Sequence, residues 1–289
     1  VSDLVFQGAL DALDARSVLP TEARTAVLQL LAPEVRNAAF FSAGVTKADF
    51  LEAAQREVRA LTTGLTTGAG GTDLAGARVR LRQLARALGY GEGGMSAFGE
   101  PLEDEQVGGL TDLTGDWRLN LILQTNREMA LGAGYYNAGQ SANLLKSYPC
   151  QELFRAAIPK GGVEAERPWP EKWANAGGQF YDGRMIARKD DPIWLLPLEA
   201  GGFNRFGNPY PPFDFNSWMR TRDTARDEAV ALGVIGADDD APAPAPRGFF
   251  LQAQPLVTAE SALGQLLSTA LRGLAEWGAD GVLKMATQN

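Results

Sequence analysis

The chain has 289 residues, 45% of them hydrophobic, with a net charge of −8 and a sequence pI of about 4.8. It contains no histidine and one cysteine, Cys150. That excludes Ser-His-Asp and Cys-His nucleophile pairs, H-E-x-x-H zinc sites, cysteine-held zinc and any intrachain disulfide. The length suffices for one large core or two small ones, and the acidic balance argues against a dedicated duplex-DNA binder.

No apolar run reaches the roughly 18 residues a bilayer span needs. The start, VSDLVFQGALDALDA, carries acid early and lacks a basic region, so it does not read as a signal peptide. A lone cysteine fits a reducing compartment.

Residues 1–95 read as a helical unit. Thr21 is placed to cap a helix carrying Ala23, Val27, Leu30 and Leu31, with Pro33 as its stop. Thr46 and Asp49 resemble a capping box, followed by Phe50, Ala54, Val58 and Leu61 on one face and Gly64 as the C-terminal stop. LTTGAGGT then reads as a loop. The next helix, DLAGARVRLRQLARALG, sets Leu74, Ala77, Leu81, Leu84 and Leu88 on one stripe and Arg78, Arg80, Arg82 and Arg86 on the rest. Those arginines suit either a solvated face or a nucleic-acid contact.

Residues 96–115, Gly-rich and acidic, read as a linker. A core at 116–236 follows. It opens on a long helix from Asp116, whose glycines make sense where another backbone approaches closely. QELFRAAI reads as a strand, and Tyr181-Asp182-Gly183-Arg184 as a hairpin turn, since Asp-Gly tolerates the positive φ of a tight turn. The aromatic, proline-rich FGNPYPPFDFNSWM, residues 206–219, cannot pair fully in a sheet interior, because proline donates no backbone hydrogen bond. It reads as an ordered strap over the hairpin and the long helix, with Arg184 as partner for Asp214. TARDEAVALG is a helix stopped by Gly233, residues 237–248 a Pro/Ala spacer, and 249–289 an amphipathic helix segment. Its stripe of Leu263, Leu266, Leu267, Leu271 and Leu274 can pack on its own unit or dock on a partner. The predicted class is α+β: a helical N-terminal part, a mixed core with a long helix and a small antiparallel sheet, and the C-terminal helix.

Several constellations could carry chemistry. Asp190-Asp191 or Glu103-Asp104-Glu105 could ligate Mg²⁺, or simply be solvated. Glu152 and Glu171 could form a glycosidase-type acid/base pair. Trp169, Trp173 and Trp194 are either a stacking platform for single-stranded nucleic acid or the core of a domain with few, short strands. No GxGxxG or GxxxxGK[ST] nucleotide signature is placed between a strand and a helix.

The order of features in residues 117–233 resembles the phage Mu F-type head morphogenesis (minor head, or minor capsid) protein family. The matching features are the helix RLNLILQTNREMALGAGYYNAG, the strand QELFRAAI, the D-G-R turn at Asp182, Gly183 and Arg184, D-D-P-I-W ending at Trp194, and the closing PYPPFDFNS with Tyr210, Pro211, Pro212, Phe213, Asp214, Phe215 and Asn216. RNAAFFSAGVTKADFLEAAQREV also resembles the family's helical lead-in. Many members carry a His after the turn and end the Pro-Pro segment in Cys-Arg-Cys; here the segment ends Asn216-Ser217-Trp218. The resemblance therefore implies a structural virion protein, not an enzyme. It would have no cofactor, would associate with portal or major capsid protein, could self-associate, and would reside in the phage head after assembly in the host cytoplasm. The alternatives are a phage-associated carboxylate-dependent hydrolase or effector, and a nucleic-acid module using residues 78–86.

Overall fold

The computed structural model describes residues 2–67, 73–156, 168–244 and 256–286. Of the loop expected at 65–72, residues 65–67 belong to a helix and 68–72 lie outside the described residues, as do the far end of the Pro/Ala spacer and residues 249–255.

In chain order the elements are α1 (Ser2–Asp14), β1 (Ser17–Val18), α2 (Thr25–Leu28), α3 (Pro33–Asn37), β2 (Ala39–Phe40), α4 (Ala48–Thr67), α5 (Leu74–Ala87) and α6 (Asp116–Ala138). Then follow α7 (Ala142–Ser147), β3 (Cys150–Arg155), α8 (Trp169–Asn175), β4 (Phe180–Tyr181), β5 (Arg184–Arg188) and β6 (Met219–Thr224). The last are α9 (Arg226–Ala231), α10 (Ala262–Ala270), β7 (Ala275–Trp277) and β8 (Leu283–Met285). The fold is α+β, with two compact units: Val1–Gly8 with Leu131–Arg247, and Ala9–Ala130 with Gly248–Asn289.

In the second of these units both ends of the stretch are joined. The backbone N–H of Val257 donates to the Val18 carbonyl, that of Leu283 to Pro20, and that of Glu22 to Leu283. Thr21 does not cap a helix. Its hydroxyl donates to the Leu283 carbonyl and accepts from the Ala23 N–H. Pro33 opens α3 rather than ending a helix, as the first helical position tolerates a missing N–H. α4 continues past Gly64 to Thr67.

The C-terminal leucines are corrected in the same way. Leu263, Leu267 and Leu271 are buried against Leu19, Leu28, Leu31 and Val257 of their own unit, and only Leu266 and Leu274 remain exposed. The amphipathic stripe is core, not a free docking helix, and a β7–β8 hairpin follows it.

Residues 96–115 are not a linker. Asp112 is buried, and its carboxylate accepts from the N–H groups of Gly108 and Thr114 and from the Thr114 hydroxyl. Ala97 bonds across to the Thr111 carbonyl, and Leu102 and Leu113 are buried. The glycines that suggested flexibility provide tight turns; Gly99 and Gly108 both have positive φ.

The other unit holds a four-stranded antiparallel sheet in the order β4-β5-β3-β6. The predicted hairpin turn forms, with Asp182 at φ 50° and Gly183 at φ 73°, the left-handed pair that matches strand twist.

Candidate functional site

Four of the residues in the quoted motifs, Leu153, Ile193, Trp194 and Phe213, meet in one aromatic cluster of the unit that holds the four-stranded sheet. Trp169, Trp173, Trp194, Phe203 and Phe213 are each at most 1% exposed. Trp194 stacks on Phe213 with ring centroids 6.2 Å apart, and Phe203 meets Phe213 edge-on at 5.3 Å. Trp173 stacks on Phe203 at 5.8 Å. Leu153 of β3, Ala187 of β5 and Met219 of β6 complete the cluster. Short strands contribute few inward side chains, so large rings fill the space. The indole N–H of Trp173 donates to the Gln179 carbonyl and that of Trp194 to Arg188. The tryptophans are therefore core, not a stacking platform.

The strap lies on α6. A Cβ on Gly132 would overlap the Pro211 carbonyl oxygen, so the glycine is what lets the two backbones meet. Tyr210 packs on Tyr136 at 5.6 Å. Burial pushes the Tyr136 phenol up to about 12, with Tyr210 adding to it. Pro211, Pro212, Phe213 and Asp214 are all buried, and the Pro211–Pro212 peptide is cis. Phe206 meets Phe215 edge-on at 4.8 Å. Asn216 is exposed in the left-handed region at φ 49°, which Asn tolerates; Trp218 takes φ 54°.

The expected Arg184–Asp214 pair does not form. Asp214 accepts from Arg205 Nε at 2.6 Å and from the Phe215 N–H at 2.8 Å. Arg205 is nine residues upstream, and its own N–H bonds to the Phe213 carbonyl, which sets the guanidinium over Asp214. Asn204 was also missed. Its side-chain amide donates to the Trp194 and Asn208 carbonyls and its Oδ1 accepts from the N–H groups of Phe206 and Gly207. Only its Asx-turn position before a Phe-Gly step could have signalled this.

Arg184 instead serves the sheet. It donates to Glu152 through Nε and Nη2 and to Glu228 through Nη1. These bonds, led by the one to Glu152, raise its pKa further. Arg222 binds the same Glu152 through two nitrogens and lies over the Phe154 ring. Glu152 is 4% exposed and receives four hydrogen bonds from two guanidiniums, so it is a cross-strand tie. Glu171 sits exposed in the first turn of α8. Nothing in this arrangement presents the pair as acid and base across a substrate.

The other carboxylates also have structural partners. Asp190 is gripped by Arg188, at 2.9 and 3.0 Å, which holds its carboxyl below the usual range. Asp191 accepts from the Ile193 N–H. Glu103 and Gln106 form a capping box on the Asp104–Gln106 turn. Among the described residues no cluster of three or more Cys, Asp or Glu side chains is placed to hold a metal ion.

In the other unit the arginines of α5 are largely committed. Arg80 pairs with Glu57 and Asp73, and Arg78 and Arg82 with Asp116. This is a solvated, self-neutralised face rather than a basic patch.

On the sheet side facing α6, Lys189 pairs with Asp223 at 2.7 Å, its side chain 6% exposed. Burial, reinforced by Asp223, raises the Tyr135 phenol to about 12. Cys150 is fully buried, which raises its thiol to about 11. Neither group is poised for chemistry near neutral pH.

No family model, curated protein or solved structure matches the chain. Among the described residues no helix is long and apolar enough to cross a membrane.

Proposed function

We propose that the chain is a minor head protein of a phage or prophage, acting by association with portal or major capsid protein during head assembly. The reading rests on the ordered motifs of residues 117–233. The observation that carries it is their convergence. Far apart in sequence, D-D-P-I-W and the Pro-Pro strap share one core through Trp194 against Phe213, the long helix meets the strap where Gly132 lies against Pro211, and the D-G-R turn joins β4 to β5 in the sheet that this core packs on. Motifs kept in order for a common packing are what a structural module requires. Of the carboxylates singled out for chemistry, Glu152 is a cross-strand tie, Asp190 pairs with Arg188 and Asp191 caps the turn that follows it. The protein is then a virion component, present in the host cytoplasm while heads assemble.

Deletion of the gene, followed by complementation, tests this. Deletion should abolish filled heads, and Asp190→Asn, Asp191→Asn and Glu171→Gln should each restore them. Failure of one of these folded variants to restore heads would instead favour a carboxylate-dependent enzyme.

A further inference from the structure

A groove of about 390 Å³ lies beside the outer edge of β5. Its position follows from an unfinished sheet. β3 pairs with β5 as far as Arg188, but β4 pairs only with Arg184 and Met185. Upstream of β4 the chain turns away to close α8. Gly177 and Gly178 donate to the carbonyls of Ala174 and Trp173, and the Gln179 carbonyl accepts from the Trp173 indole. From Ile186 to Arg188 the outer edge of β5 therefore has no strand beside it, although the Arg188 carbonyl is already taken by the Asp191 N–H and the Trp194 indole. Uncovered strand edges are templates for added strands.

Ile186, Ala187, Ile193, Leu196 and Val234 give the groove an apolar side, and Gln179, Tyr181, Arg188 and Asp191 a polar one. The mouth is acidic. Asp191 lines the groove, Asp190 binds Arg188, and the Asp240 carbonyl accepts from the same guanidinium, which brings the exposed run Asp238–Asp240 to the rim. Arg226 is tied to the carbonyl of Asp239. Five aspartates thus stand against Arg188 and Arg226.

We propose that this groove binds an extended peptide segment of a partner protein, with apolar side chains facing the groove and a Lys or Arg at the rim, added as a short strand at Ile186. The backbone edge supplies register, the apolar side supplies burial and the aspartates select the charge. The proposal is independent of the head-assembly reading, since a peptide groove can serve a protein of either kind.

The test is selection of a displayed random heptapeptide library on the immobilised full chain, followed by affinity measurement with the enriched peptide. The expected consensus alternates apolar residues and includes a basic one. Val234→Trp should weaken binding by about ten-fold or more, while Val234→Ala stays within about three-fold. The surface double change Asp238→Lys/Asp240→Lys leaves the core untouched and should also weaken binding by about ten-fold. Absence of any consensus would overturn the proposal. So would a consensus peptide bound equally well by the charge-reversed protein.

Discussion

Tryptophan and phenylalanine fill the core of the unit that spans residues 131–247, whereas leucine, alanine and valine fill the core built from residues 19–43 and 257–283. The contrast follows from the elements that supply the side chains. Helices offer an inward residue every three or four positions, so medium-sized aliphatic groups suffice. Short strands and a proline-rich strap offer few, so each must be large; Trp173 and Trp194 donate their indole N–H groups to carbonyls, while that of buried Trp169 has no hydrogen-bond partner. The aromatic core concentrates its stability in a handful of rings; the aliphatic core distributes it.

Trp194→Ala should bring the largest loss, about 4 kcal/mol, because it removes contacts to Trp173, Phe203 and Phe213 together. Denaturant unfolding checks it, and a loss no larger than that of an aliphatic truncation would break the contrast. Leu267→Ala in α10 should cost about 3 kcal/mol if that helix is core, and close to nothing if it is a free docking helix. Gly132→Ala should lose about 2 kcal/mol despite alanine's better helix propensity, because the new methyl meets the Pro211 carbonyl.

A double-mutant cycle on Arg205→Ala and Asp214→Ala should show coupling of about 1 kcal/mol, and the same cycle on Arg184 and Asp214 none. The smallest effect is one of pH. Burial raises the Cys150 thiol from its ordinary 9.0 to about 11, so its contribution is intact below pH 9 and lost as pH rises toward 11. Between pH 8 and 10 the protein should lose about 1 kcal/mol more than Cys150→Ala does.

Local features were legible in the sequence. The Asp182-Gly183 turn, the stop at Gly233 and the close approach implied by the α6 glycines all depend on nearby residues or on backbone conformation. What failed needed tertiary information. An amphipathic stripe shows that Leu263, Leu267 and Leu271 will be covered, but not that the N-terminal segment covers them. The glycines of residues 96–115 read as flexibility because no local pattern shows that Asp112 is buried and accepts from both Gly108, four residues before it, and Thr114, two after it. Arg184 was expected to meet Asp214 because the strap reads as lying over the hairpin, whereas the β3–β5 register sets it diagonal to Glu152, two residues from Glu152's partner Ile186.

The most direct test of the assembly role is mass spectrometry of nuclease-treated, gradient-purified particles from a culture expressing this gene, with copies counted against the major capsid protein. The proposed role predicts a small, reproducible number of copies in every particle fraction. Recovery of the protein only from the soluble fraction, with none in particles, would contradict a virion role.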